Sequence, residues 1–243
     1  MIINNNIAAL NTHRQMGQVS GNASSSMEKL SSGMRINRGA DDAAGLSISE
    51  KMRGQIRGLE QASKNSQDAV SLIQTADGAL NETHAILQRM RELTVQGASD
   101  TNNTAERDAI GGELLQLTAT IQDIADTTQF NGQKLLDASA GTAGVMTIQS
   151  GANSAETLSL DLTNVDLTAT LTALATVDVT DATTSAASLT VLDTAIQTVS
   201  NGRGYTGAVQ NRLDYTINNL NASAENTQAA ESRVRDVDYA KAA

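Results

Sequence analysis

Between Leu59 and Thr94, small and apolar residues recur at alternating intervals of three and four positions. This spacing is the heptad pattern of helices that pack side by side along a narrow seam. Val70, Ile86 and Leu93 add a second stripe, as expected where a helix contacts more than one neighbour. The pattern therefore predicts a long packed helix whose seam consists of Leu59, Ala62, Ser66, Ala69, Ile73, Ala76, Leu80, Thr83, Leu87, Met90 and Thr94.

The absence of proline from all 243 residues allows this helix to be long. Because no proline ring interrupts it, residues 41–97 can form one helix. At about 1.5 Å per residue, that helix would be roughly 85 Å long. Aromatic residues make up only 2% of the chain, so a thick globular core is hard to build. The composition favours thin, paired helices instead.

Turn residues divide the remainder of the chain. The segment GASDTNNT (97–104) ends the long helix, and a second apolar seam follows it in Ile110, Leu114, Leu117, Ile121 and Ile124. Asn131-Gly132 predicts a tight turn. Two alternating segments, VMTIQ (145–149) and TLSLDL (157–162), predict a β-hairpin.

A last helix is predicted from about residue 187 to residue 240, after an ambiguous region rich in threonine, alanine and aspartate. Its seam comprises Leu189, Leu192, Ile196, Val199, Thr206, Leu213, Ile217, Leu220, Ala224 and Val234. The fold class is therefore mainly α: an elongated, antiparallel, coiled-coil-like helical rod with a small β-hairpin region.

Four segments are expected along the chain. Residues 1–40 form an N-terminal segment with a hinge, and residues 41–137 form the N-terminal helices of the rod. Residues 138–186 form the hairpin and its connections, and residues 187–243 form the C-terminal helix. Residues 1–32 hold few apolar positions, so we expect them to be disordered in an isolated monomer, because a lone helix is marginal without packing.

The stretch LSSGMRINRGADDAAGL (30–46) concentrates glycines and charges just before the long helix. Gly33 and Gly39 would end what precedes them. Asp41 and Asp42 would accept the unpaired N–H groups at the start of the helix and face its positive dipole end. The stretch predicts a hinge, and a plain interhelical loop explains the same residues equally well.

Charge and composition exclude several function classes. The net charge of −10 disfavours nucleic acid and anionic membranes as partners, and no run of 18 apolar residues could span a membrane. His13 and His84 are the only histidines and cysteine is absent, so neither a metal site nor a catalytic triad is expected. GRGYTG (202–207) lacks the strand before it that a nucleotide-binding loop requires. We expect no enzyme activity, no cofactor and no metal.

Several blocks of the sequence resemble the signature segments of bacterial flagellins. They are MIINNNIAALNT, LSSGMRINRGADDAAGLSISEKMRGQIRGL, NSQDAVSLIQTADGALNETHAILQRMRELTVQ, TQFNGQKLLD, GAVQNRLDYTINNL and ESRVRDVDYA, in this order. The resemblance implies a structural subunit that polymerises into the flagellar filament for motility. It also implies an extracellular location reached without a Sec signal peptide, and we expect none because MIINNNIAALNTHRQ has no cationic segment followed by a long apolar run. The implied partners are further copies of the chain and flagellar export, cap or junction proteins.

The resemblance also has consequences for the ends and the middle of the chain. In the family, the two terminal segments pair as helices that line an inner tube, and many members add outer domains after the hairpin. This chain resembles a short form without outer domains. It stops at Ala243, so we expect it to lack the C-terminal inner-tube segment that would pair with residues 1–32. GRGYTG is expected to be a loosened or broken turn in the last helix.

The segment QRMRELTVQ (88–96) places Arg89, Glu92 and Gln96 on one helix face, because these residues are three or four apart. The residues alone predict a solvated or packing face. In the family this surface is buried between subunits, and in free flagellin the matching positions bind the flagellin-sensing Toll-like receptor of hosts. The resemblance therefore assigns receptor binding to Arg89, Leu93, Gln96, Ile110 and Glu113. A further family contact, an arginine, falls on Leu117 here.

Two other interpretations stay open on the sequence. A hook–filament junction protein would share the same kinds of ends, and a non-flagellar coiled-coil rod could serve as a binding module. The density of the LSSG…DDAAGL and QRMREL blocks favours a flagellin.

Overall fold

The computed structural model describes residues 6–242, with side chains to residue 240. Its α-helices are α1 (Ile7–Ser32), α2 (Ala43–Gly97), α3 (Thr104–Thr127), α4 (Thr168–Leu174), α5 (Ala182–Arg235) and α6 (Tyr239–Ala242). Its strands are β1 (Gln129–Phe130), β2 (Gln133–Lys134), β3 (Val145–Gln149) and β4 (Thr157–Asp161), and a 3₁₀ helix spans Leu162–Val165. The expectation of a mainly α protein with a small β-hairpin region is confirmed.

Helix α2 buries the seam that its sequence predicts. Ten of the eleven seam residues are buried, and Leu59 is half-buried. Several of the buried members carry hydroxyl groups, and each hydroxyl donates to a carbonyl of its own helix. The bonds run from Ser66 to Ala62, from Thr83 to Ala79 and from Thr94 to Met90, at 2.8–2.9 Å. These buried polar groups therefore need no partner on a neighbouring helix.

The described chain divides into two compact units. One contains the residues up to Glu60 together with those from Asn221 onward, and the other is Gln61–Leu220. In the first unit, Gly33 adopts a left-handed conformation with φ 70° and ends α1. The amide of Arg35 then donates to the carbonyl of Arg235 at 2.7 Å, and that of Val237 donates to the carbonyl of Gly33 at 3.0 Å. The segment expected to be a hinge is therefore held by backbone hydrogen bonds to the C-terminal end of α5 and the residues after it.

Helix α1 is formed, which corrects the expectation of disorder over its residues, yet it buries no side chain. The Asn6 side chain accepts from the Ala9 amide and caps its first turn, and the left-handed Gly33 caps its last. Apolar side chains along it stay exposed, including Ile7, Leu10 and Val19. The first five residues lie outside the described part of the chain.

The two aspartates before α2 have different roles. Asp42 caps the helix, because its Oδ1 accepts from the amide of Gly45 at 2.8 Å. Asp41 Oδ2 instead accepts from the amides of Asn37 and Arg38, at 3.1 and 2.9 Å. Only Asp42 is the helix cap that the sequence predicts, and Asp41 closes the preceding loop.

In the second unit, α3 and two hairpins pack beside α2. Asn103 and Glu106 form a reciprocal capping box at the start of α3. Strands β1 and β2 are joined through Asn131 and Gly132, whose φ values of 50° and 78° suit the predicted tight turn. Strands β3 and β4 pair antiparallel, with Thr147 opposite Ser159. The predicted tight turn and the predicted hairpin are both confirmed.

Helix α5 differs from its prediction. It begins at Ala182 and ends at Arg235, five residues earlier at each end than expected. It runs unbroken through GRGYTG, so the expectation of a loosened turn is wrong. A Cβ on Gly202 would lie 2.9 Å from the carbonyl oxygen of Asn164 in the 3₁₀ helix, and the Tyr205 hydroxyl accepts from the Asp161 amide at 2.8 Å. The motif is a docking point for the 3₁₀ helix and β4.

Candidate interaction surface on helices α2 and α3

Helices α2 and α3 are held antiparallel by a short turn whose polar groups are paired. The side-chain amide of Asn102 donates to the carbonyl of Gln96 at 2.5 Å. The guanidinium of Arg107 on α3 donates to the carbonyls of Gly97 and Ser99, each at 3.1 Å. These bonds satisfy carbonyls at the C-terminal end of α2 and fix the start of α3 against it.

Arg89 lies at the centre of the exposed polar surface between these helices. Its Nη2 is 3.0 Å from Glu113 Oε1 on α3, and its Nη1 is 3.3 Å from Glu92 Oε2 on α2. The hydrogen bond to Glu113, followed by that to Glu92, raises the pKa of the Arg89 guanidinium above its ordinary value. We call the surface formed by Arg89, Glu92, Gln96 and Glu113 the α2–α3 face.

The structure brings the five predicted receptor-contact residues into one region and divides them by burial. Arg89, Gln96 and Glu113 are exposed. Leu93 and Ile110 are only 3% and 7% exposed and belong to the hydrophobic core. Both side chains fill the space between the helices beneath the surface, and receptor contact by Leu93 and Ile110 stays a prediction. Leu117 is half-buried and packs against the same core.

Arg107 is the residue that the sequence analysis missed at this site. Its side chain is only 14% exposed, and it also reaches Asp100 Oδ1 at 3.2 Å and the carbonyl of Thr180 at 3.5 Å. One signal was available: a basic residue early in α3, four positions after the capping Asn103, follows a turn rich in unpaired carbonyls. That pattern does not identify which carbonyls the guanidinium reaches.

Residues 6–242 contain no cluster of three or more histidine, aspartate or glutamate residues that could hold a metal ion. His84 Nε2 lies 2.9 Å from the side-chain amide of Gln88, and His13 is exposed on α1. None of the helices among these residues has the length and hydropathy needed to cross a bilayer.

Comparison with protein families gives two matches. The model of the bacterial flagellin N-terminal helical region matches residues 3–141, and that of the C-terminal helical region matches residues 189–243. A flagellin of Halalkalibacterium halodurans is 58% identical over 241 residues, which covers 99% of this chain and 88% of that protein. A flagellin of Bacillus subtilis is 50% identical and covers 99% of this chain and 89% of its own length.

Among solved structures, the crystal structure of Bacillus cereus flagellin is similar to this one. The TM-score is 0.58 at 38% sequence identity, over 69% of this chain and 94% of that protein. The similarity therefore extends over nearly all of that protein's length.

Proposed function

This chain belongs to the bacterial flagellin family and is a structural subunit of the extracellular flagellar filament, and we propose that its free form is also bound by a flagellin-sensing Toll-like receptor of hosts. Filament subunits assemble with further copies of themselves, so the main partner is a second copy. The observation that carries the receptor proposal is the exposed Arg89–Glu113 ion pair, which bridges two helices at 3.0 Å.

The α2–α3 face has the properties of a pre-organised binding surface. Arginine is enriched among residues that dominate binding energies. The Arg89 side chain is 52% exposed, yet two carboxylates hold it in place, so little side-chain freedom remains to be lost on binding. Leu93 and Ile110 beneath the face keep α2 and α3 together and thereby keep Arg89 and Glu113 in reach of each other.

A receptor reporter assay with purified monomer tests this proposal. Arg89→Ala and Glu113→Ala should each lower signalling potency about tenfold or more. Arg91→Ala is the matched control, because Arg91 lies on the same helix, is 48% exposed and pairs with Asp193 at 2.7 Å instead. Unchanged potency of Arg89→Ala and Glu113→Ala, or an equal loss in Arg91→Ala, would overturn the receptor assignment.

We further propose that the chain reaches the filament through the flagellar export apparatus, with export, cap and junction proteins as transient partners. A chain without proline or cysteine has no prolyl isomerisation and no disulfide exchange to slow its folding after export. The test is the culture medium of a strain that lacks the flagellar export gate. The chain should be missing from that medium and present in the parent's, and its presence in both would contradict this route.

A further inference from the structure

Two large hydrophobic side chains stand out on the surface of the unit Gln61–Leu220. Leu115 on α3 is 70% exposed and Tyr215 on α5 is 77% exposed. A single exposed hydrophobic residue needs no explanation. The surroundings of Leu115 and of Tyr215, however, are complementary in shape and in charge.

Tyr215 borders a shallow depression on the outer surface of α5. Its volume is about 490 Å³, and it is lined by Ala208, Asn211, Arg212, Tyr215, Thr216 and Asn219. Tyrosine and arginine are the residue types that most often anchor protein interfaces. The Arg212 guanidinium makes no ion pair within residues 6–240, so its charge is available to a partner.

Leu115 projects from a part of α3 with little around it. Gly112, one turn earlier, has no atom within 4 Å of where a Cβ would lie, and Ala119, one turn later, is exposed. Glycine within a helix is destabilising relative to alanine. No contact among the described residues explains this glycine, and it leaves the Leu115 side chain clear for close approach by another molecule.

The charges of the two helices are complementary. Helix α3 carries five carboxylates and one arginine over Thr104–Thr127. Residues 201–222 of α5, around the depression, carry two arginines and one aspartate in a chain of net charge −10. An acidic helix that presents a leucine thus matches a depression with a tyrosine and an unpaired arginine.

The two surfaces also lie at different levels along α2. The Arg89–Glu113 pair places Leu115 near residue 87 of α2. The contacts of Asp77 with Arg203 and Thr206 place Tyr215 near residue 68. At about 1.5 Å per residue, the two levels are roughly 28 Å apart.

We propose that Leu115 of one copy packs into the α5 depression beside Tyr215 of a second copy, with Arg212 facing the acidic α3. Because the two surfaces differ, the contact is head-to-tail and leaves one surface of each type unoccupied for the next copy. Such contacts generate open assemblies unless the rotation closes. This inference rests on the filament role of the family and is independent of the receptor proposal.

Site-specific cross-linking tests the contact directly, because the chain has no cysteine of its own. Ala119→Cys and Asn211→Cys place one thiol beside each surface and leave Leu115 and Tyr215 intact. The two variants are mixed, polymerised and treated with a short bis-maleimide linker. We expect covalent dimers in the mixed filaments. The same mixture kept monomeric, and filaments of Asn211→Cys alone, should give none, because the proposed contact joins two unlike surfaces.

Assembly itself supplies a second measurement. Leu115→Gln and Tyr215→Ala should each raise the critical concentration for polymerisation at least tenfold, whereas Leu115→Met, which keeps an apolar side chain of similar volume, should not. Normal filaments from Leu115→Gln and Tyr215→Ala, without the cross-link, would overturn the proposed contact and leave the filament role standing. An unsubstituted chain that forms no filaments under any condition would contradict the filament role, and the contact with it.

Discussion

The Nε of Arg107 donates to the carbonyl oxygen of Gly97 at 3.1 Å, which joins the first turn of α3 to the last residue of α2. The same guanidinium reaches two further carbonyls and one carboxylate. The Arg107 side chain therefore makes several of the hydrogen bonds that hold the turn between α2 and α3, and this turn sets the spacing of the α2–α3 face.

Replacing Arg107 with lysine should destabilise the protein, because an ammonium cannot reproduce the planar fork of donors. The expected loss is about 1–2 kcal/mol, since several hydrogen bonds from a charged group are lost, including the part-buried one to the Gly97 carbonyl. Urea unfolding followed by circular dichroism measures it. Arg53→Lys serves as control, because Arg53 makes one exposed ion pair with Glu50. Equal midpoints for both variants would contradict this role of Arg107.

Gly202→Ala should destabilise α5 even though alanine favours helix. The new Cβ would lie 2.9 Å from the Asn164 carbonyl oxygen, so the 3₁₀ helix must move, at a cost of about 1–3 kcal/mol. Gly207→Ala is the matched control, since nothing lies within 4 Å of its Cβ position and it should stabilise by about 0.5–1 kcal/mol. The two thermal midpoints should shift in opposite directions, and a shift in the same direction would count against the docking role of Gly202.

Leu93→Ala should lower the free energy of unfolding by about 2–5 kcal/mol, because it opens a cavity at a position that is 3% exposed. Val95→Ala, two residues along the same helix and 49% exposed, should change it by no more than about 0.5 kcal/mol. Loss of receptor signalling in Leu93→Ala would thus report on stability. A Leu93→Ala variant as stable as the parent protein would show that this side chain is not part of the core.

Acid should loosen the loop before α2. Amide hydrogen bonds from Arg38, then from Asn37, hold the pKa of Asp41 below its ordinary value of 3.8. A carboxyl whose pKa is lower in the folded state stabilises the fold above its unfolded pKa, and the effect is lost as pH falls through the folded pKa. Amide exchange at Asn37 and Arg38, corrected for intrinsic rates, should therefore quicken below about pH 4.

Asp41→Asn should reduce this pH dependence of amide exchange, and Asp214→Asn should leave it unchanged. A response that Asp41→Asn does not alter would contradict the assignment to Asp41.

The sequence predicted α2 well and α5 less well, for a physical reason. The α2 seam includes Ile73, Leu80 and Leu87, whose apolar side chains mark the period clearly. In α5 the buried stripe includes Ser185, Ser188, Ala195, Gly202 and Thr206, which carry little hydrophobic signal. The early start of α5 follows from Asp181, whose side chain accepts from the Thr184 amide at 2.8 Å.

The candidate site was predictable by position and not by burial. Spacing placed Arg89 and Gln96 on one face of α2, and the resemblance added Glu113 from α3. Whether Leu93 and Ile110 point outward depends on how α3 crosses α2. The Arg89–Glu113 and Arg107–Gly97 contacts fix that crossing. Each joins a residue of α2 to a residue of α3, and the periodicity of one helix carries no information about contacts with another.

The buried hydroxyls of α2 bear on how the protein responds to mechanical load. Ser66, Thr83 and Thr94 bond to their own helix, so a shear along the helix axis breaks none of these bonds. Within the unit Gln61–Leu220, polar contacts from α2 to α5 occur at Asp77 and at Arg91, fourteen residues apart. Under tension or torque, these two polar contacts would be the first to resist sliding of one helix along the other. Between them, the two helices could strain elastically without losing hydrogen bonds.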